Sequence, residues 1–167
     1  MDFLIWLEDS GVGTWVRESP SSQAFPGIIV FHAIGMAFLA GTNVIINLRI
    51  LGFAPGIPLS KMEKFFPVMW FGLVVNAASG ILLTLGYPLK AFTNPVFYFK
   101  LCCIVAGVAL TLWIRRQIIR NPAANFLPIL LQGKVLAVVS LAVWAAAITS
   151  GRFLAYTCRQ LLQGLPC

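Results

Sequence analysis

The sequence predicts an all-α integral membrane protein, an antiparallel four-helix bundle with an N-terminal interfacial helix. Two observations carry that expectation. The chain of 167 residues is 59% hydrophobic and only 10% charged, with a mean hydropathy of +0.89. Soluble domains carry roughly 25% charged residues, so this chain lacks the polar surface to coat a soluble globule. Its apolar residues also gather into four runs, each near the ~20 residues that a helix needs to cross the hydrocarbon layer. Four such spans and short connections fill residues 1–167 as a single membrane domain.

The first 22 residues lack the basic start of a secretory signal, and Asp2, Glu8, Asp9 and Glu18 dominate them. Phe3, Trp6, Leu7, Trp15 and Val16 alternate with polar residues, and tryptophan favours the headgroup level. Residues 2–18 are therefore expected to form a helix lying on the membrane, broken by Ser19-Pro20-Ser21-Ser22. The spans are expected at 25–50, 66–85, 95–113 and 134–156. Pro55-Gly56-Ile57-Pro58, Gly86-Tyr87-Pro88 and the stretch holding Asn121-Pro122 and Pro128 supply the breaks between them.

The net charge of +7 is not a nucleic-acid signal, because the basic residues lie at the ends of the apolar runs. Arg49, Lys61 and Lys64 lie between the first two spans; Arg115, Arg116, Arg120 and Lys134 lie between the last two. The opposite side has the acidic N-terminus, Lys90 and Arg159. Positive-inside then puts both termini outside the cytoplasm, in the periplasm if the membrane is a bacterial inner membrane. Cys158 and Cys167 would meet an oxidising compartment there, which leaves a disulfide and two free thiols both open. Small residues recur in the spans, among them Gly35, Gly41, Gly72, Gly80 and Gly107, and let helices approach closely in lipid.

His32, the single histidine, lies in the first span within Phe31-His32-Ala33-Ile34-Gly35-Met36. An ionisable group in such a run is a functional-site hypothesis, because burying it without a partner is expensive. At 1.5 Å per residue it lies roughly 10 Å deep. Lys100, early in the third span, and Arg152, late in the fourth, fall at a similar depth on the same side. Ser79, with Asn76 slightly deeper, marks that level on the second span. His32, Gly35, Met36, Leu39 and Asn43 share one helical stripe. Facing inward, these residues would make a cationic mouth above an apolar cavity.

Two ligands suit such a mouth. In b-type haem, His32 would be the metal ligand, with Lys100 and Arg152 on the propionates and Gly35, Met36, Asn76 and Ser79 around the ring. A quinone or lipid would instead take hydrogen bonds from His32 and set its headgroup on the cations. Membrane electron carriers usually use two histidines, so a haem here would be five-coordinate or completed by a partner subunit. Against both stand the bland readings: Lys100 and Arg152 snorkel to the interface, and His32 bonds a neighbouring helix. A copper site from His32, Met36 and Cys102-Cys103 is weak, since adjacent cysteines point to different faces. No GxSxG, Walker loop or HExxH is present.

Phe31-His32-Ala33-Ile34-Gly35, Asn47-Leu48-Arg49-Ile50-Leu51-Gly52, Asn94-Pro95-Val96-Phe97-Tyr98-Phe99-Lys100-Leu101 and Gly151-Arg152-Phe153-Leu154-Ala155-Tyr156 carry a resemblance. From about Trp15 to Tyr156 the chain resembles a family of small bacterial four-span membrane proteins of unknown function. Relatives often have an aspartate where this chain has Asn47. In layout it is more distantly similar to cytochrome b561-type and copper-resistance membrane domains, without their paired histidines. The resemblance implies architecture and no chemistry. The expectation is thus a cofactor-binding membrane protein, haem b first, serving electron transfer or sensing with a periplasmic or membrane redox partner. The rival is a structural subunit that forms a homo-oligomer or joins a larger complex.

Overall fold

The computed structural model describes residues 2–120 and 131–156, and every regular element in them is a helix. Cys158 and Cys167, and the pairing considered for them, lie outside the described residues. Helices α1 (Asp2–Glu8) and α2 (Gly11–Glu18) come first. The N-terminal stretch is thus two helices rather than one. Ser10 makes the break: its side chain caps α2 by accepting from the Gly13 N–H at 3.2 Å. Arg17 then folds back on the turn, donating to the Glu8 carbonyl at 2.6 Å and lying 3.7 Å from the Glu8 carboxylate.

Four longer helices follow, each long and apolar enough to cross a membrane. They are α3 (Phe25–Leu51), α4 (Phe66–Gly86), α6 (Pro95–Ile114) and α7 (Leu131–Tyr156), with the short α5 (Pro88–Phe92) between α4 and α6. Pro26, Pro67 and Pro95 stand in the first turns of α3, α4 and α6, where a missing N–H loses nothing. Asn94 caps α6 by accepting from the Val96 N–H at 3.0 Å. Gly52 ends α3 at φ 110°, a left-handed stop that a side chain would strain. Arg49 holds the loop beyond it through the carbonyls of Ile57 (2.6 Å) and Pro55 (3.0 Å).

Helix α3 packs most intimately on α4, α6 on α7, and α3 also meets α7. The α3–α4 crossing is backbone on backbone. A Cβ on Gly35 would stand 2.7 Å from the Asn76 nitrogen, and one on Gly72 2.7 Å from the Leu39 nitrogen. Glycine is required at both positions, because no side-chain movement relieves a clash with main chain. The α6–α7 contact is built differently, with the buried Trp144 ring laid over Gly107.

Leu39, Ile46, Ile50, Phe66, Met69 and Ile114 fill the centre of the bundle. Large apolar side chains such as Phe71, Val74, Val105 and Phe153 point outward. That arrangement, apolar outside as well as in, fits a multi-pass membrane protein.

Both ends are tied. At the N-terminal end α2 docks on α4, with Arg17 also 3.3 Å from the Gly86 carbonyl. At the other, the arginine end, a 3-10 helix (Leu59–Phe65) leads into α4, and a π-helical turn (Arg115–Ile119) extends α6. There Glu63 is gripped by Arg115 through both carboxylate oxygens and by Arg120 at 2.8 Å. The Arg115 guanidinium also lies 4.4 Å over the Phe66 ring.

The glycine crossing makes a direct prediction. Gly72→Val overpacks the α3–α4 contact and should cost about 3 kcal/mol, read as a lowered melting temperature of the purified protein. Gly41, where an added Cβ would meet nothing within 4 Å, is the control, and Gly41→Ala should leave the melt unchanged or raise it. Equal melts for the two variants would show that the crossing is not a tight one.

Candidate functional site

His32 lies two turns into α3, half-buried, on the side that meets α4. Its Nδ1 is 3.0 Å from the Ser79 hydroxyl oxygen. That hydroxyl has a single proton, which it gives to its own helix, at the Val75 carbonyl (2.6 Å). Toward His32 the Ser79 oxygen is therefore an acceptor, and Nδ1 carries the ring proton. Nε2 is left with a lone pair. One turn away on α4, the Asn76 amide donates to the His32 backbone carbonyl at 2.9 Å. Ring and main chain of His32 are held by two residues of one helix.

Lys100 approaches from α6, with Nζ 3.5 Å from His32 Nε2. An ammonium only donates, so the contact agrees with the tautomer that Ser79 imposes. Glycines make room for both groups. A Cβ on Gly80 would meet His32 Cε1 at 3.2 Å, and one on Gly151 of α7 would touch the Lys100 Cε and Nζ at 3.6 Å. All four long helices thus contribute to one small site near the N-terminal end.

Among the described residues no carboxylate pairs with Lys100. A half-buried cation without a counter-charge is an unusual arrangement, because the desolvation of the ammonium is not offset locally. The site presents a donor, Lys100 Nζ, beside an acceptor, His32 Nε2.

Of the residues singled out in the sequence, the structure brings His32, Lys100, Asn76 and Ser79 together. Gly35 lies at the helix crossing, pressed on α4 rather than opening a space, and Met36 packs half-buried against the core. Arg152 is exposed on α7 and makes no hydrogen bond or ion pair among the described residues. Also among those residues, no three His, Cys, Asp or Glu side chains gather as metal ligands.

A second polar layer lies deeper, toward the arginine end, and sequence reasoning passed over most of it. The Asn47 amide donates to the Ser140 hydroxyl at 3.0 Å, tying α3 to α7. Thr111 of α6 hydrogen-bonds Asn43 Oδ1 while its oxygen lies 2.7 Å from the Gly107 carbonyl. Asn43 in turn donates to the Leu39 carbonyl at 2.8 Å. Asn43 and Asn47 stand four apart in an apolar run, and that spacing was the available signal.

Residues 3–157 match the model of DUF6644, a protein family of unknown function. The chain belongs to that family. No curated protein and no solved structure matches it. Membership in DUF6644 agrees with a small protein of four apolar helices, and the chemistry of this DUF6644 member has to be argued from its own residues.

The tautomer is open to direct measurement, since a histidine-selective 15N label reports on His32 alone. The spectrum should show a protonated δ nitrogen and an unprotonated ε nitrogen, and Ser79→Ala should erode that preference. A protonated ε nitrogen in the unaltered protein would refute the assignment.

Proposed function

We propose that this DUF6644 protein is a multi-pass protein of a bacterial inner membrane, with both termini periplasmic. Its His32–Lys100 pair binds the polar head of a lipid-soluble ligand, a quinone or a lipid. The observation that carries the reading is Lys100 lying half-buried against His32 Nε2 with no carboxylate partner among the described residues. An ammonium donor beside an imidazole acceptor complements a ligand oxygen that accepts, as a quinone carbonyl does, or one that donates, as a hydroxyl does. A charged donor is worth about 1.5–3 kcal/mol in such a contact. The orientation is supported by Arg49, Lys61, Lys64, Arg115, Arg116, Arg120 and Lys134, which gather at one end of the spans. Electron transfer or sensing with a redox partner is the role such a ligand suits.

Haem b is the second reading, and one feature favours it. Donation from Nδ1 to Ser79 leaves Nε2 with the lone pair that iron needs, oriented by a hydrogen bond on the other nitrogen. Two features weigh against it. Lys100 lies where the metal would, and the Gly35–Gly72 crossing closes α3 on α4 at the next turn down.

Organic extraction of the detergent-purified protein, with an absorption spectrum of the same sample, separates the readings. A quinone or lipid should be extracted at near one per chain. Lys100→Met should weaken its retention about tenfold or more, while Arg152→Gln, altering an exposed side chain, should leave it unchanged. A Soret band that sharpens on reduction and disappears in His32→Ala would instead establish haem. A colourless protein with no extractable ligand would sink both and favour a purely structural subunit.

A further inference from the structure

The cations at the arginine end are sorted by the π turn. In an uninterrupted α-helix Arg116 and Arg120, four apart, would share a face. Here the Arg120 N–H closes on the Arg115 carbonyl at 3.0 Å, five residues back. Arg115 and Arg120 both reach Glu63 as a result. Arg116 is left exposed on another face, with no carboxylate partner among the described residues. Glu63 is already committed, and the other four acids of the chain lie within its first 18 residues.

On the Arg116 face runs an open cleft lined by Ala109, Leu112, Trp113, Arg116 and Gln117. These positions follow the i, i+3, i+4, i+7, i+8 spacing of one helical stripe. Along it the chemistry changes in order: two aliphatic residues toward the middle of α6, then an indole, then a guanidinium beside an amide. A phospholipid has the same order, acyl chain, glycerol ester and phosphate. Exposed Lys61 and Lys64 at the same end add to a positive field that favours an anionic head.

We infer that this cleft is a binding site for an anionic phospholipid, its phosphate on Arg116 and Gln117 and one acyl chain along Leu112 and Ala109. The inference rests on the membrane reading above but is independent of the His32–Lys100 ligand, which lies at the opposite end.

The test is native mass spectrometry of the full-length protein released from detergent, titrated with phosphatidylglycerol and, separately, phosphatidylcholine. The unaltered protein should take up the anionic lipid preferentially, and Arg116→Gln should weaken that uptake about fivefold without changing the uptake of phosphatidylcholine. The double variant Lys61→Gln/Lys64→Gln should reduce uptake less than Arg116→Gln does. Equal binding of the two lipids, no effect of Arg116→Gln, or a larger effect of the double variant would each overturn the site. A protein that stays monodisperse without detergent and takes up neither lipid would overturn the membrane reading itself.

Discussion

The contact of the Gly35 and Gly72 backbones is the constraint on which the rest of the bundle depends. It sets α3 and α4 closer together than side chains alone would allow, since a Cβ at either position would fall 2.7 Å from a main-chain nitrogen. Only at that separation does the Asn76 amide span the gap to the His32 carbonyl at 2.9 Å. The same approach sets the Ser79 hydroxyl 3.0 Å from the imidazole. In lipid, where burying apolar surface does not drive helices together, such close packing and interhelical hydrogen bonding must do so. The glycines and the polar residues one turn beyond them therefore form one device: the first permits the approach, and the second makes it specific.

The polar groups inside the bundle are layered, and each layer joins a different set of helices. Near the N-terminal end His32, Ser79, Asn76 and Lys100 link α3, α4 and α6. Farther along, Asn43 with Thr111 links α3 to α6, and Asn47 with Ser140 links α3 to α7. At the arginine end Glu63, Arg115 and Arg120 link the start of α4 to the end of α6. Helix α3 takes part in both interior layers, which makes it the axis of the structure. The two interior layers differ in one respect that bears on function. The deeper one is made of neutral amides and hydroxyls, joined by hydrogen bonds although Asn47 Oδ1 is left buried without a partner among the described residues, whereas the outer one contains a cation.

Much of this was legible in the sequence, for identifiable reasons. Helix starts were marked by Pro26, Pro67 and Pro95 and one stop by Gly52, because these residues act locally and report their effect in the chain itself. The meeting of His32, Lys100, Ser79 and Asn76 followed from depth, since residues at one level of an antiparallel bundle share a plane. Depth says nothing about rotation around the helix axis, and it is rotation that sets Arg152 apart from the cluster. It shares the level of Lys100, yet its neighbour Gly151, not Arg152, faces that side chain. The split between α1 and α2 was hidden because Ser10 is an ordinary polar residue until its hydroxyl caps the next helix. The π turn was hidden for a stronger reason: Arg-Arg-Gln-Ile-Ile has no feature that distinguishes a hydrogen bond five residues back from one four residues back. What it achieves shows only in three dimensions, where Arg115 and Arg120 meet Glu63.

The handling of charge at the two ends bears on the proposal of a ligand at His32. At the arginine end two guanidiniums converge on one carboxylate, and Arg115 further shields its charge on the Phe66 ring. At the N-terminal end Arg17 is likewise surrounded, with Glu8, Asp9 and Glu18 all within 3.9 Å. Arg17, Arg115 and Arg120 thus each have an acid beside them. Lys100, half-buried as Arg17 and Arg115 are, receives an imidazole nitrogen instead. A neutral partner holds the ammonium in place without cancelling its charge, so the attraction remains available to a third group. Had the role of Lys100 been structural, a carboxylate at Ser79 or Asn76 would have served it better. The hydroxyl and amide found there orient the histidine and leave the charge uncancelled, as the proposed ligand requires.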